Sequence, residues 1–304
     1  MPVISVILPV YNGINFVRES VESVLAQTLT DFDFLILDNH SGDGTWEYLN
    51  TITDKRVKLF RNEEYHDLFY NMNYLCKRSE TELTKLWSHD DYMVPDALEK
   101  IVQFHRANPG LGFSYTAVKA IDENSTVTRE AKEDHTPAIV GKEVHARICF
   151  RWGSIAGNIA NVTIATEVFK KVGYFDESMK ICGDYDMWVR IGEYYDIGHI
   201  NEPLIYLRNH SKQLSRQEEH YIKHVEEDIV VYNKLFTYIP KQLKKEGINE
   251  MRKSKLLFYY TLMVHALFRK GFKAAGKFWR ALSTIDSPFI LTLFFVRIKL
   301  LKIK

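Results

Sequence analysis

From residue 3 to residue 91 the chain alternates between apolar runs of strand length and segments of helical spacing, which restricts the fold more than any other feature. Val3–Leu8 is a largely apolar run of the kind found in strands buried on both faces. It breaks at Pro9-Val10-Tyr11-Asn12-Gly13, and Phe16, Val17, Val21, Val24 and Leu25 then recur at helical intervals over 15–26. Phe32–Leu37 predicts a second strand, 46–53 a helix, Val57–Phe60 a third strand, 66–79 a helix and Leu83–Trp87 a fourth strand. Repeated βαβ units imply an α/β protein with a mostly parallel central sheet flanked by helices. Ligands in such sheets sit outside the carboxyl ends of the strands. Pro9–Asn12, Asp38 and Asp90-Asp91 all fall at such ends.

The stretch Lys85-Leu86-Trp87-Ser88-His89-Asp90-Asp91 ends a strand in two adjacent carboxylates. Such neighbours repel unless a cation or a set of donors holds them. A hard divalent metal suits them, since it takes oxygen ligands and shares them with phosphate. The other reading is an acidic turn before a helix that starts at Val94-Pro95-Asp96. Asp38 likewise reads either as a turn residue accepting local backbone bonds or as an acceptor for a base imide or a ribose hydroxyl. Asp184 and Asp186 open an amphipathic helix, Asp184–Tyr195, with Met187, Trp188, Ile191 and Tyr195 on one face. An N-cap role covers one of the two carboxylates; a general base aimed at a hydroxyl covers the other. His210 follows a strand and is either a surface loop residue or a metal ligand, with Arg208 or Lys212 available to phosphate.

Residues 110–165 are less periodic and read as mixed strands and loops. A helix over 166–172 ends at Gly173, and short strands are expected at Ile197–Ile200 and Leu204–Leu207. From about 217 everything reads as helix, so the domain boundary is placed at 216, with a helical extension over 217–304. The net charge of +1 conceals an asymmetry: Lys241–Lys304 holds fifteen Lys/Arg against three acids, leaving the rest of the chain acidic. An acidic body with a basic tail is not a nucleic-acid-binding composition and directs only the tail to an anionic surface. Three widely spaced cysteines with no C-x-x-C argue against a disulfide framework and a thiolate zinc site. The start of the chain lacks a basic n-region and reads as a core strand rather than a signal peptide. No G-x-G-x-x-G follows the first strand, and neither a G-x-x-x-x-G-K-[ST] loop nor a G-x-S-x-G elbow occurs.

Taken in order, five motifs resemble those of family 2 inverting glycosyltransferases with the GT-A fold. They are Val6-Ile7-Leu8-Pro9-Val10-Tyr11-Asn12-Gly13, then Leu35-Ile36-Leu37-Asp38-Asn39-His40-Ser41-Gly42-Asp43-Gly44-Thr45, then Ser88-His89-Asp90-Asp91. Val172-Gly173-Tyr174-Phe175-Asp176-Glu177 with Gly183-Asp184-Tyr185-Asp186-Met187-Trp188-Val189-Arg190 follows, and Glu202-Pro203-Leu204 with Tyr206-Leu207-Arg208-Asn209-His210 closes the set. The resemblance covers about 1–216. It implies a GT-A-like nucleotide-binding domain, with Pro9, Tyr11 and Asn12 lining the nucleotide pocket and Asp38 on base or ribose. Asp90 and Asp91 would bind the sugar-nucleotide diphosphate and a divalent metal, Mn²⁺ or Mg²⁺, with His210 touching metal or phosphate. Asp184 would be the catalytic base, and Trp188, Arg190 and Asp186 would lie on the acceptor side.

The sequence departs from the family pattern at four places. Ser88 stands where many members carry the first Asp of D-x-D, Asn39 where a second Asp follows Asp38, Gly183 where a Glu precedes the base, and Met72-Asn73 where an Arg-Asn pair is common. Ser88 and Gly183 leave open a non-catalytic sugar-nucleotide or glycan-binding scaffold, and a sugar-nucleotide-forming nucleotidyltransferase shares the parallel-sheet logic and metal carboxylates, although Pro9–Gly13 lacks the Gly- and Arg-rich loop such enzymes usually carry.

The uncharged run Phe289–Val296 is far shorter than a spanning helix, which needs ~20 residues. Four cations follow it among apolar residues, as in an amphipathic helix on an anionic membrane, though a final helix packed on the body gives the same pattern. By resemblance, the donor is expected to be a UDP- or dTDP-sugar, and such a tail implies a lipid-linked or membrane-proximal glycan acceptor and a place on the cytoplasmic face of the plasma membrane. Surface-polysaccharide assembly, as in O-antigen synthesis, is the corresponding expectation.

Overall fold

In the computed structural model, residues 2–132, 134–210 and 221–301 are described. The elements run β1 (Ile4–Val10), α1 (Val17–Leu25), β2 (Phe32–Asp38), α2 (Thr45–Leu49), β3 (Val57–Arg61), α3 (Leu68–Cys76), β4 (Leu83–Leu86), β5 (Tyr92–Met93), α4 (Ala97–Ala107), β6 (Leu111–Ile121), β7 (Val127–Arg129) and β8 (Ile139–Val140). There follow α5 (Lys142–Trp152), β9 (Val162–Ala165), α6 (Val168–Val172), α7 (Gly183–Tyr194), β10 (Asp196–Arg208), α8 (Tyr221–Tyr238), α9 (Lys241–Lys253), α10 (Lys255–Lys270), α11 (Phe272–Leu282) and α12 (Pro288–Phe295).

These elements form two units that interleave along the chain. One comprises the described residues of 1–141, 156–180 and 194–213, and the other those of 142–155, 181–193 and 214–304. The boundary expected at 216 lies outside the described residues. The expected helix from Asp184 and the unexpected α5 both group with the later helices, α5 packing on α9.

The first unit is built on one sheet with the path β3-β2-β1-β4-β9-β6-β10-β5. β3, β2, β1 and β4 are mutually parallel, as the sequence predicts. β9 then runs antiparallel to both β4 and β6, and β6 pairs parallel with β10. Two reversals cancel, so β6 and β10 point the same way as β1 and β4. Strand side chains alternate in direction. Val6, Leu8, Phe34 and Ile36 thus join Val17, Val21 and Val24 of α1 in one buried cluster, while Ile7, Leu35 and Leu37 face away from it. α3 also packs on β1, burying Phe69, Met72, Leu75 and Cys76.

Two expectations on this sheet need correction. The two short strands near 197–207 are one strand, β10, whose register against β6 shifts around Ile200, Pro203 and Ile205. A proline gives no ladder N–H, so the run reads as broken in sequence while bulges carry it through in space. The mixed region holds an eleven-residue strand, β6, and the helix α5.

The second unit is helical. Its last helix packs on α10: Leu291 is fully buried, the Tyr260 hydroxyl shares a 2.7 Å hydrogen bond with Thr292 Oγ1, and the Tyr260 and Phe295 rings are 5.4 Å apart. Phe289 and Leu293 remain exposed on the same helix. Among the described residues no helix is long and apolar enough to cross a membrane.

Candidate active site

The carboxyl ends of β1 and β2 in the first unit are joined by their loops. After β1, Asn12 takes φ 48°, a left-handed conformation that Asn tolerates better than most side chains. Its N–H donates to Ser41 Oγ at 2.9 Å, and its Oδ1 accepts the Gly42 N–H at 3.0 Å. The Gly13 N–H donates to Thr45 Oγ1 at 2.9 Å. Gly13 also abuts the β4 end: a Cβ there would lie 2.5 Å from His89 Cδ2. Pro9 is buried within β1, whereas Tyr11 is 45% exposed and meets Tyr65 edge-on, ring centres 4.8 Å apart.

Asp38 ends β2 fully buried. Its Oδ2 accepts the Ser41 N–H at 3.2 Å and lies 3.2 Å from Arg61 Nε. Its Oδ1 is buried with no hydrogen-bond partner among the described residues. A buried acceptor without a donor is costly, so this atom suits a ligand's N–H or O–H. Asn39 beside it does what an Asp could not. Its Nδ2 donates to the His66 carbonyl at 2.7 Å, while its Oδ1 accepts from Asn62 Nδ2 at 2.8 Å and the His66 N–H at 3.0 Å. Asn73 similarly exchanges bonds with the backbone of Phe175 and donates to Glu177 Oε1 at 2.7 Å, tying α3 to the loop after Gly173.

At the end of β4, Asp90 is flanked by two imidazoles, His89 Nε2 2.6 Å from its Oδ1 and His210 Nε2 3.0 Å from its Oδ2. Burial raises the Asp90 carboxyl, but the bonds and charges of these histidines outweigh it and bring it down to about 2. His89 is raised in turn: burial opposes its charge, and its hydrogen bond to Asp90 prevails. Asp91 differs. Burial pushes it up to about 7 even though its Oδ1 accepts the Arg208 N–H at 2.8 Å, and the neighbouring Asp90 adds to the rise. Its Oδ2 has no hydrogen-bond donor among the described residues. Two carboxylates and an imidazole are donor types that a hard divalent ion takes.

Two residues beneath this cluster carry more weight than the sequence indicates. Arg208 is 2% exposed, and its guanidinium donates to the carbonyls of Asp90 and Asp122, to Ser125 Oγ and to Glu19 while lying over the Phe16 ring. It is therefore held by protein rather than presented to phosphate, and Lys212 lies outside the described residues. Lys85 is fully buried in β4, donates to the carbonyls of Ala160 and Val162, and is brought down to about 7 by burial, with Asp91 partly opposing. A lysine inside an apolar strand was the available signal for its role.

In the second unit, Asp184 lies in the first turn of α7 and accepts the Tyr185 N–H at 2.7 Å. Burial pushes its carboxyl up to about 6; that N–H opposes the rise and Asp228 adds to it. Asp186 is fully buried, with Oδ2 2.7 Å from Arg190 Nε and Oδ1 2.5 Å from Lys234 Nζ. Trp188 is likewise fully buried. Asp186 and Trp188 thus present no surface of their own, and Arg190 is engaged with Asp186. Cys182, His224 and Asp228 offer ligand atoms within 4.8 Å of one another, a grouping that cysteine spacing does not reveal. Lys255 Nζ, at 3.2 Å, and the Tyr259 hydroxyl already hold Asp228 Oδ2, so a cation is present there as an ammonium group.

Comparison with known proteins places these features. An uncharacterized glycosyltransferase of Rickettsia felis is 29% identical over 259 residues, covering 84% of this chain. This chain spans only 41% of that relative's length. An uncharacterized glycosyltransferase of Rickettsia typhi is 28% identical over 271 residues, 89% of this chain and 81% of the relative. Among solved structures, S. aureus TarS 1–349 in complex with UDP-GlcNAc has the same fold, with a TM-score of 0.71 at 16% identity over 97% of this chain and 87% of that one. The expected GT-A-like architecture is therefore borne out. The model described as glycosyl transferase family 2 matches residues 5–164, the stretch holding the sewn β1 and β2 loops and the Asp90-Asp91 pair. That match takes in more than half of the 304 residues, and the chain belongs to glycosyl transferase family 2.

Proposed function

We propose that this chain is an inverting glycosyltransferase that moves a sugar from a nucleotide-diphospho-sugar, UDP- or dTDP-linked, to a hydroxyl of a lipid-linked or membrane-proximal glycan. The observation that carries the reading is Asp38: a fully buried carboxylate whose Oδ1 lacks a donor, at a strand end sewn to the Asn12 loop. Family membership and the UDP-GlcNAc complex of TarS support the nucleotide-sugar class.

Each residue then has a task. Pro9, Tyr11 and Asn12 line the nucleotide pocket, and Asp38 orients base or ribose. Asp90 and Asp91, with His210, would hold a divalent ion, Mn²⁺ or Mg²⁺, beside the diphosphate. Such an ion supplies charge neutralisation for the leaving group. Asp184, raised to about 6, is ionised at neutral pH yet basic enough to take the acceptor hydroxyl's proton. The oxygen forms its bond to the anomeric carbon as the bond to the nucleoside diphosphate breaks, and one displacement inverts the configuration. Trp188, Arg190 and Asp186 serve the acceptor side from behind, by fixing the helix that carries Asp184. The basic C-terminal segment holds the enzyme to the anionic inner face of the plasma membrane, where surface glycans are assembled.

Asp184→Asn tests the reading. Transfer should fall by ~10³-fold or more while stabilisation by UDP persists. Transfer near the parent rate would remove Asp184 as the base, and UDP binding without any transfer in the parent chain would favour a binding scaffold.

A further inference from the structure

The most exposed large apolar side chains among the described residues are Phe272, 86% exposed, and Phe268, 83% exposed. They flank the turn between α10 and α11, where Gly271 takes φ 79° and its N–H closes α10 on the Leu267 carbonyl at 3.1 Å. All six residues from Phe268 to Lys273 are exposed, and the other four are Arg269, Lys270, Gly271 and Lys273. The tip is therefore two phenylalanines and three cations on a tight turn. No Asp or Glu occurs anywhere from Met251 to Ile285, while eight Lys/Arg do.

The side chains of this turn face water, so none of them is buried against its own unit. A symmetric tip-to-tip contact between copies would set three cations against three cations, and Met251–Ile285 holds no acid to offset them. An anionic lipid surface satisfies both halves at once: the rings enter the acyl boundary while the cations remain among the headgroups. The packed state of α12 points the same way. Its apolar residues are divided between α10 and solvent, so only part of its apolar surface is available to insert.

We infer that the α10–α11 tip, through Phe268 and Phe272 with Arg269, Lys270 and Lys273, is the element that inserts into an anionic membrane surface. The inference rests on the membrane-proximal acceptor of the proposed function, but its test does not. The full chain should co-sediment with phosphatidylcholine vesicles that contain about 30% phosphatidylglycerol and not with pure phosphatidylcholine vesicles. F268S/F272S should weaken this binding about tenfold or more, with unchanged melting and unchanged stabilisation by UDP. R269E/K270E/K273E should abolish it. Binding of the double phenylalanine variant at parent strength would overturn the inference, as would a parent chain that ignores anionic vesicles. If F268S/F272S instead turns an oligomer into a monomer, the tip is an interface between copies and the inference also fails. Loss of the UDP response in the parent would count against the nucleotide site and leave the vesicle result standing.

Discussion

The backbone N–H of Arg208 donates to Asp91 Oδ1 at 2.8 Å across 117 positions of chain. The end of β10 is thereby fixed to the end of β4, and the same arginine's Nε holds the Asp90 carbonyl at 2.9 Å. One residue thus sets the position of both carboxylates that follow β4.

Arg208→Ala keeps the N–H on Asp91 but strips its other donors from buried carbonyls. Orphaned buried acceptors and a lost buried cation together cost about 3 kcal/mol or more. We expect a fall in stability of that order in urea unfolding, with metal-dependent UDP binding weakened as the Asp90-Asp91 turn loosens. An unchanged urea midpoint would show that the network is dispensable.

Asp91→Asn probes the raised carboxyl. With a folded pKa of about 7 against an unfolded value near 3.8, the folded chain binds more protons between those limits, so stability from this group falls as pH rises through the window. Removing the charge should therefore stabilise the metal-free protein at pH 8, by about 2 kcal/mol. The same change should abolish any further stabilisation by Mn²⁺. A thermal melt with and without Mn²⁺ reads both effects, and a destabilised, still Mn²⁺-responsive variant would contradict both.

The acid limb of transfer should follow Asp184. Below its pKa of about 6, kcat/KM should fall about tenfold per pH unit as the base is protonated. Asp228 raises that carboxyl, so Asp228→Asn should move the limb to lower pH. A limb unmoved by the substitution would dissociate the two groups.

Asn39→Asp restores the residue common in the family yet should harm this chain. The carboxylate cannot donate to the His66 carbonyl, which Asn39 Nδ2 reaches at 2.7 Å. Loss of that bond and the repulsion left behind should cost ~1–3 kcal/mol, read from the denaturation midpoint. Wild-type stability would show that the loop rearranges around the acid.

Legibility followed physical pattern. β1, β2 and α1 were readable because doubly buried strands are largely apolar and α1 repeats its apolar face. Asp38, Asp90 and Asp91 stood out in the sequence because they are acids that follow apolar strands. Arg208 and Lys85 were not, because their partners are carbonyls from distant segments, which leave no trace in side-chain spacing. The course of β10 was obscured by Pro203, and Asp186 was placed on the acceptor side because nothing near it in sequence announces Lys234.

The reversed strand β9, set between β4 and β6, has a consequence for variation. Because β9 lies between them, β6 runs in the direction of β1, β2 and β4, and the loops after these four strands emerge at one rim, above strands paired largely through apolar residues. Substitutions in those loops can retune which sugar or nucleotide is accepted without touching the pairing that makes the protein fold. A lineage carrying this arrangement can therefore diversify its chemistry at the rim faster than its architecture erodes.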